Sequence, residues 1–221
     1  MNARGRPRRP SAQTKADIVL VFGESQNDTA AIVELVGALR PDLRVQAVKS
    51  PLVLIRDANP RDVPSRADRI ASVVRGFRED YTVRAVIAHE DADCVEPGHK
   101  AIAKKIEEGF RLAGLVAIAA VPAWEIEAWW LLWPDQTGAV RKSWRTPDDY
   151  VGKQVGTIQD AKEVLTRLLR PPKYNKNNFP DYVESDSVLI ARRVRGEGVA
   201  QSPRADSMSY DRFRSSISAV I

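Results

Sequence analysis

The sequence predicts an α/β fold: a mostly parallel sheet flanked by helices, with a small helical appendage at its C-terminal end. Three observations carry this. Short continuous apolar runs over 17–22, 83–88 and 115–121 read as strands buried on both faces. Segments with apolar residues at helical spacing alternate with them, as in βαβ units. Each run also leads to carboxylates: Glu24 after the first, Glu90, Asp91 and Asp93 after the second, and, beyond Pro122, Glu125 and Glu127 after the third. In parallel sheets the working groups gather at the carboxyl ends of the strands. Two carboxylates 4 Å apart repel by roughly 4 kcal/mol at an effective dielectric near 20. Three converging acidic loops therefore ask for a cation between them.

The elements follow in order. Residues 1–15 are expected to be a disordered basic leader. The first strand covers 17–22. Ser25 and Asp28 make a capping box that opens a helix through Ala30, Ile32, Val33, Leu35, Val36 and Leu39, and Pro41 stops it. Residues 43–48 read as a second strand. Residues 51–64 are a loop with a candidate short strand, Leu52 to Ile55. A helix over 66–81 places Ile70, Val73, Val74 and Phe77 on one side. The strand before Glu90 follows, then a helix over 99–112 with Ile102, Ile106 and Phe110 aligned; Gly114 ends it. Ile126, Trp129, Trp130 and Trp133 recur at i, i+3, i+4 and i+7, which predicts a helix with a tryptophan-rich packing face. The α/β core is thus expected over 16–133. Residues 134–221 are expected to form the appendage packed on it, with a polar stretch to 160, a helix over 158–169, a loop at 171–180, and short helices near 187–195 and 210–220.

Composition narrows the function. The single cysteine, Cys94, excludes an internal disulfide and a cysteine-built metal site. No apolar run approaches the roughly 20 residues of a membrane span, and no apolar signal segment follows the basic start. A cytoplasmic protein without a membrane partner is expected. The net charge of +5 is matched by Arg4, Arg6, Arg8, Arg9 and Lys15 alone, and the other residues balance. That excludes a uniformly basic nucleic-acid-binding surface; the leader is either a solvated tail or a grip on phosphate. A Walker A loop, a G-x-G-x-x-G turn and a G-x-S-x-G elbow are all absent from the sequence.

The acids are the candidate chemistry. Gly23 allows a sharp turn at a strand end. Glu24 then precedes a helix N-terminus, which favours its ionised form; it either holds a metal or takes a proton, or merely complements the dipole. In an extended segment Asp91 and Asp93 project to one side and can share one Mg²⁺ (or Mn²⁺); otherwise they are an acidic surface turn. His89 reads as a packed strand-end residue and His99 as a helix-start residue. On a helix Glu125 and Glu127 stand about 200° apart and cannot both face one ion; if the chain stays extended through Glu127, both can. The tryptophans read as core packing rather than base-stacking platforms.

The order strand, Gly23-Glu24-Ser25, helix, then a distant strand ending in Asp91-x-Asp93 resembles the Toprim catalytic domain of topoisomerases, primases and OLD-type nucleases. The segment from Glu125 to Leu132 (EIEAWWLL) resembles a narrower Toprim-like group, the domain-of-unknown-function family forty-two seventy-six, related to RloB-like proteins. Asp160-Ala161-Lys162-Glu163 resembles that group's D-P-K-E element, with alanine for proline, and 207–213 resembles a loosened form of its C-terminal motif. The resemblance implies a Toprim/Rossmann-like sheet and a metal-dependent nuclease or nickase acting on nucleic acid. Glu24 would be general base or acid. Asp91 and Asp93 would hold Mg²⁺, Glu125 or Glu127 would complete a second ion site, and Lys162 would neutralise a phosphate oxygen. It also implies an ATPase partner in phage defence, the alternative being a non-catalytic module that binds such a partner or nucleic acid.

Overall fold

A computed structural model describes residues 15–49, 57–175, 177 and 180–220. The expected leader before Lys15 and the expected strand from Leu52 to Ile55 lie outside the described residues. Four strands, β1 (Ala16–Phe22), β2 (Val45–Ala47), β3 (Tyr81–His89) and β4 (Ala117–Ala120), form one parallel sheet in the order β2-β1-β3-β4. The helices are α1 (Gln26–Leu39), α2 (Val63–Asp80), α3 (His99–Leu112), α4 (Glu127–Trp130), α5 (Pro134–Gly138), α6 (Ala161–Leu169), α7 (Asp186–Gly196) and α8 (Met208–Val220). The α/β class read from the sequence is the class observed, and it is consistent with a Rossmann/Toprim-like fold.

Strand alternation sorts the core into two layers. Ile18, Leu20 and Phe22 of β1 join Ile70 and Val74 of α2 and Ile106 and Phe110 of α3. Val19 and Val21 face the other way and join Ile32 and Leu35 of α1, the tryptophans, and Tyr210 and Phe213 of α8. Trp129 stacks on Phe213 and meets Tyr210 edge-on, each at 5.3 Å between centroids. The segments beyond 134 thus supply one side of the sheet: α7 lies along α1 and α8 against β4.

One element differs from expectation. The tryptophan helix predicted over 126–133 is a single turn, α4. Trp124 takes a left-handed φ of 59°, which breaks the chain just before it. Trp133 then caps α5, whose first residue is Pro134. The intervening hydrogen bonds run i to i−3, as in Trp129 N to Ile126 O and Leu132 N to Trp129 O, so the pieces are tight turns rather than one regular helix. Tight turns still bury Ile126, Trp129, Trp130 and Trp133 together.

From β1 the chain passes to β2 on one side and crosses back to β3 on the other. The topological switch point therefore lies between the carboxyl ends of β1 and β3, where α/β sheets form their binding crevice. No helix among the described residues is long and apolar enough to cross a membrane.

Candidate functional site

The register of β1 with β3 pairs Phe22 with Ala88, so Gly23 and Glu24 emerge beside His89 and Glu90. Gly23 is required there for space: a Cβ would lie 2.6 Å from Thr29 Oγ1 and 3.3 Å from His89 Cβ. Ser25 caps α1, its Oγ accepting the Asp28 N–H at 3.0 Å and donating to Asp28 Oδ2 at 2.6 Å. This brings Glu24 across the switch point. Its Oε1 accepts the backbone N–H of Asp91 at 3.2 Å.

Beyond the strands, the loops after β3 and β4 stay laced together. Ala92 N donates to Pro122 O, Asp93 N to Trp124 O, and Trp124 N to Cys94 O. The ladder carries Glu125 and Glu127 to the same place. Glu125 Oε2 accepts the Lys162 N–H in the first turn of α6 at 3.0 Å. Glu127 is 4% exposed, and its Oε1 accepts from Tyr182 Oη at 3.0 Å. Asp93, Trp124 and Asp160 have φ of 49°, 59° and 49° and are the described non-glycine residues with positive φ. All three flank this acid cluster, and such backbone strain gathers at functional sites.

Electrostatics define which acids act together. Burial first, then the charges of Asp28, Glu127, Glu24 and Glu125, push Asp91 from 3.8 up to about 9. Burial first, with Glu125 and Asp28 adding to it, raises Glu127 from 4.5 to about 7. Burial also raises Glu125. His89 is 1% exposed, its Nε2 is 3.6 Å from Asp91 Oδ1, and neither ring nitrogen makes a hydrogen bond among the described residues. Burial pushes its pKa down, favouring the neutral ring.

The D-x-D pair is not fully extended. The backbone leaves extended geometry at Asp93, which is exposed, and its charge bears on Glu125. Glu125 precedes the α4 turn and Glu127 begins it, so both can affect Asp91 without sharing a helix face. Lys162 also differs from a free cation: its Nζ is 2.6 Å from Glu184 Oε1, and its backbone N–H is the group that reaches Glu125. Asp28 reads from the sequence as a cap only. Its position four residues beyond Glu24, on the first turn of α1, was the available signal. Tyr182 carried none.

The donor set fits a hard divalent cation. Carboxylate oxygens dominate it, and the nitrogens of His89 make no hydrogen bond beside Asp91. Among the described residues no three His, Cys, Asp or Glu side chains are already closed to metal-binding distance. A cleft of about 310 Å³ opens beside Glu24, lined by Gln26, Thr29, Ala47, Val48 and Lys49 among others. No family model, curated protein or solved structure matches this chain.

Proposed function

We propose that the chain is a Mg²⁺- or Mn²⁺-dependent phosphodiesterase acting on nucleic acid, a nuclease or nickase. The observation that carries the proposal is the hydrogen bond from the Asp91 backbone N–H to the Glu24 carboxylate across the β1/β3 switch point, beside an Asp91 carboxyl that burial first and neighbouring acids second raise to about 9. Asp91 and Glu24 would hold the ion, with Glu125 and Glu127 on the β4 side and Asp93 on the outer flank. When bound, such an ion neutralises phosphate charge and lowers the pKa of water. Glu24 Oε1 or Oε2 would accept the proton of the attacking water. Lys162 would lend positive charge to a phosphate only by sharing its ammonium with Glu184. A separate ATPase partner, in phage defence, is what the Toprim-like resemblance implies, and the sequence has no phosphate loop of its own.

The alternative is a non-catalytic module that binds such a partner or nucleic acid. The open spacing of the acids favours it. Cleavage assays on DNA and RNA separate the two. Divalent-dependent cleavage is expected, lost in EDTA and reduced at least about 100-fold in Glu24→Gln and Asp91→Asn. Equal cleavage by wild type and both variants would contradict the catalytic reading.

A further inference from the structure

Behind Glu127 lies a buried chain of hydrogen bonds that the proposed chemistry does not use. Trp130 Nε1 donates to Ser187 Oγ at 2.9 Å. Ser187 Oγ and Tyr182 Oη are 2.6 Å apart. Tyr182 Oη donates to Glu127 Oε1 at 3.0 Å. Trp130 and Ser187 are fully buried, and Tyr182 is 5% exposed. An indole N–H can only donate. A hydroxyl has one proton, and the Tyr182 proton is committed to Glu127. Ser187 must therefore donate to Tyr182, and the whole chain runs one way: Trp130 to Ser187 to Tyr182 to Glu127.

The chain is also anchored on both sides. Trp144 Nε1 donates to Pro180 O at 2.9 Å, and Arg170 grips Asp181 through two bonds at 2.8 and 2.9 Å. Buried Asp186 accepts from Arg141 at 2.6 Å and from Val183 N at 3.1 Å. The segment carrying Tyr182 and Ser187 is thus held at both ends while its middle bears on Glu127.

We infer that Tyr182 is a positioning residue that fixes the Glu127 carboxylate for cation binding, with Ser187 and Trp130 setting its direction. This rests on the metal-dependent reading above. With Glu127 ionised, its Oε1 accepts from the tyrosine hydroxyl, which restrains the carboxylate and favours one orientation toward an incoming ion. Outer partners of this kind typically change metal affinity by about 10- to 100-fold.

Calorimetric titration of the full chain with Mn²⁺, without substrate, tests this. Tyr182→Phe keeps the ring and removes the hydroxyl; it is expected to weaken Mn²⁺ binding by about 10- to 100-fold. Ser187→Ala is expected to weaken it less, and the double variant to match Tyr182→Phe, because the groups act in series. Ser187→Thr, which keeps the hydroxyl, should restore binding relative to Ser187→Ala. Unchanged Mn²⁺ affinity in Tyr182→Phe and in Ser187→Ala, with wild type binding normally, overturns the positioning role and leaves the metal site standing. Absence of Mn²⁺ binding by wild type overturns both. Should Tyr182→Phe fail to fold, Ser187→Ala against Ser187→Thr decides alone: loss and recovery support the chain, and equal affinity overturns it.

Discussion

Asp91 and Glu96 lie five residues apart in the same loop after β3, and their surroundings are opposite. Glu96 is buried, yet its Oε1 accepts from Ser207 Oγ at 2.9 Å and Ser209 N at 2.7 Å, and its Oε2 from Met208 N at 3.0 Å. It sits at the start of α8, where unsatisfied N–H groups and the helix dipole favour a negative charge. Gly156 leaves room for it, since a Cβ there would meet the carboxylate. Asp91 meets other carboxylates instead, and burial makes their repulsion larger. One acid fastens the C-terminal helix to the loop. The other has its charged form disfavoured by burial and then by neighbouring acids, a pattern common at binding sites.

The contrast can be broken from the Glu96 side first. Glu96→Ala removes the acceptor of Ser207 Oγ, Met208 N and Ser209 N at the start of α8, so a loss of about 3 kcal/mol is expected. Urea unfolding followed by tryptophan fluorescence reads it, because Phe213 and Tyr210 of α8 pack on Trp129. A loss below about 0.5 kcal/mol would mean that α8 is held by its apolar face alone.

From the Asp91 side the expected sign reverses. Asp91→Asn should stabilise the metal-free chain by on the order of 2 kcal/mol at pH 8, and by less at pH 5. The folded-state pKa of Asp91, about 9, exceeds its ordinary 3.8, so between these values the unfolded chain binds fewer protons than the folded one. The contribution of Asp91 to stability is therefore complete below pH 3.8 and is lost as pH rises through about 9; Glu127 adds to the decline between 4.5 and about 7. Thermal melts of both proteins in EDTA at pH 5 and 8 check this. A variant less stable than wild type at pH 8 would show that the charge of Asp91 is already compensated.

Much of this site was legible because its parts sit where strands end. Glu24 and Asp91 could be paired in thought from two apolar runs alone, since parallel strands deliver their loops to one edge. The capping box of Ser25 and Asp28 was legible too, yet only as a cap: sequence spacing shows that Asp28 faces Ser25 but not that its charge also reaches Asp91. The tryptophan segment misled because its i, i+3, i+4, i+7 spacing fits successive tight turns as well as a helix, and nothing in residue type marks the left-handed backbone at Trp124. The extended backbone on which the Asp91–Asp93 reading rests ends at the left-handed Asp93. Lys162 reaches Glu125 by its backbone N–H, a group that every residue except proline carries, while its ammonium pairs with Glu184. Tyr182 lies 55 residues from Glu127 along the chain, and only the fold brings them together.

The central claim is that carboxylates from the ends of β1, β3 and β4 hold one or more divalent ions. A crystal structure of the chain grown with Mn²⁺, phased on the anomalous signal of the ion, tests it most directly. The expected result is a Mn²⁺ peak about 2.1 to 2.3 Å from an Asp91 oxygen, with Glu24 or the Glu125–Glu127 pair within its coordination sphere. Mn²⁺ bound only elsewhere, or no peak at Asp91 at millimolar Mn²⁺ and pH 8, would contradict it.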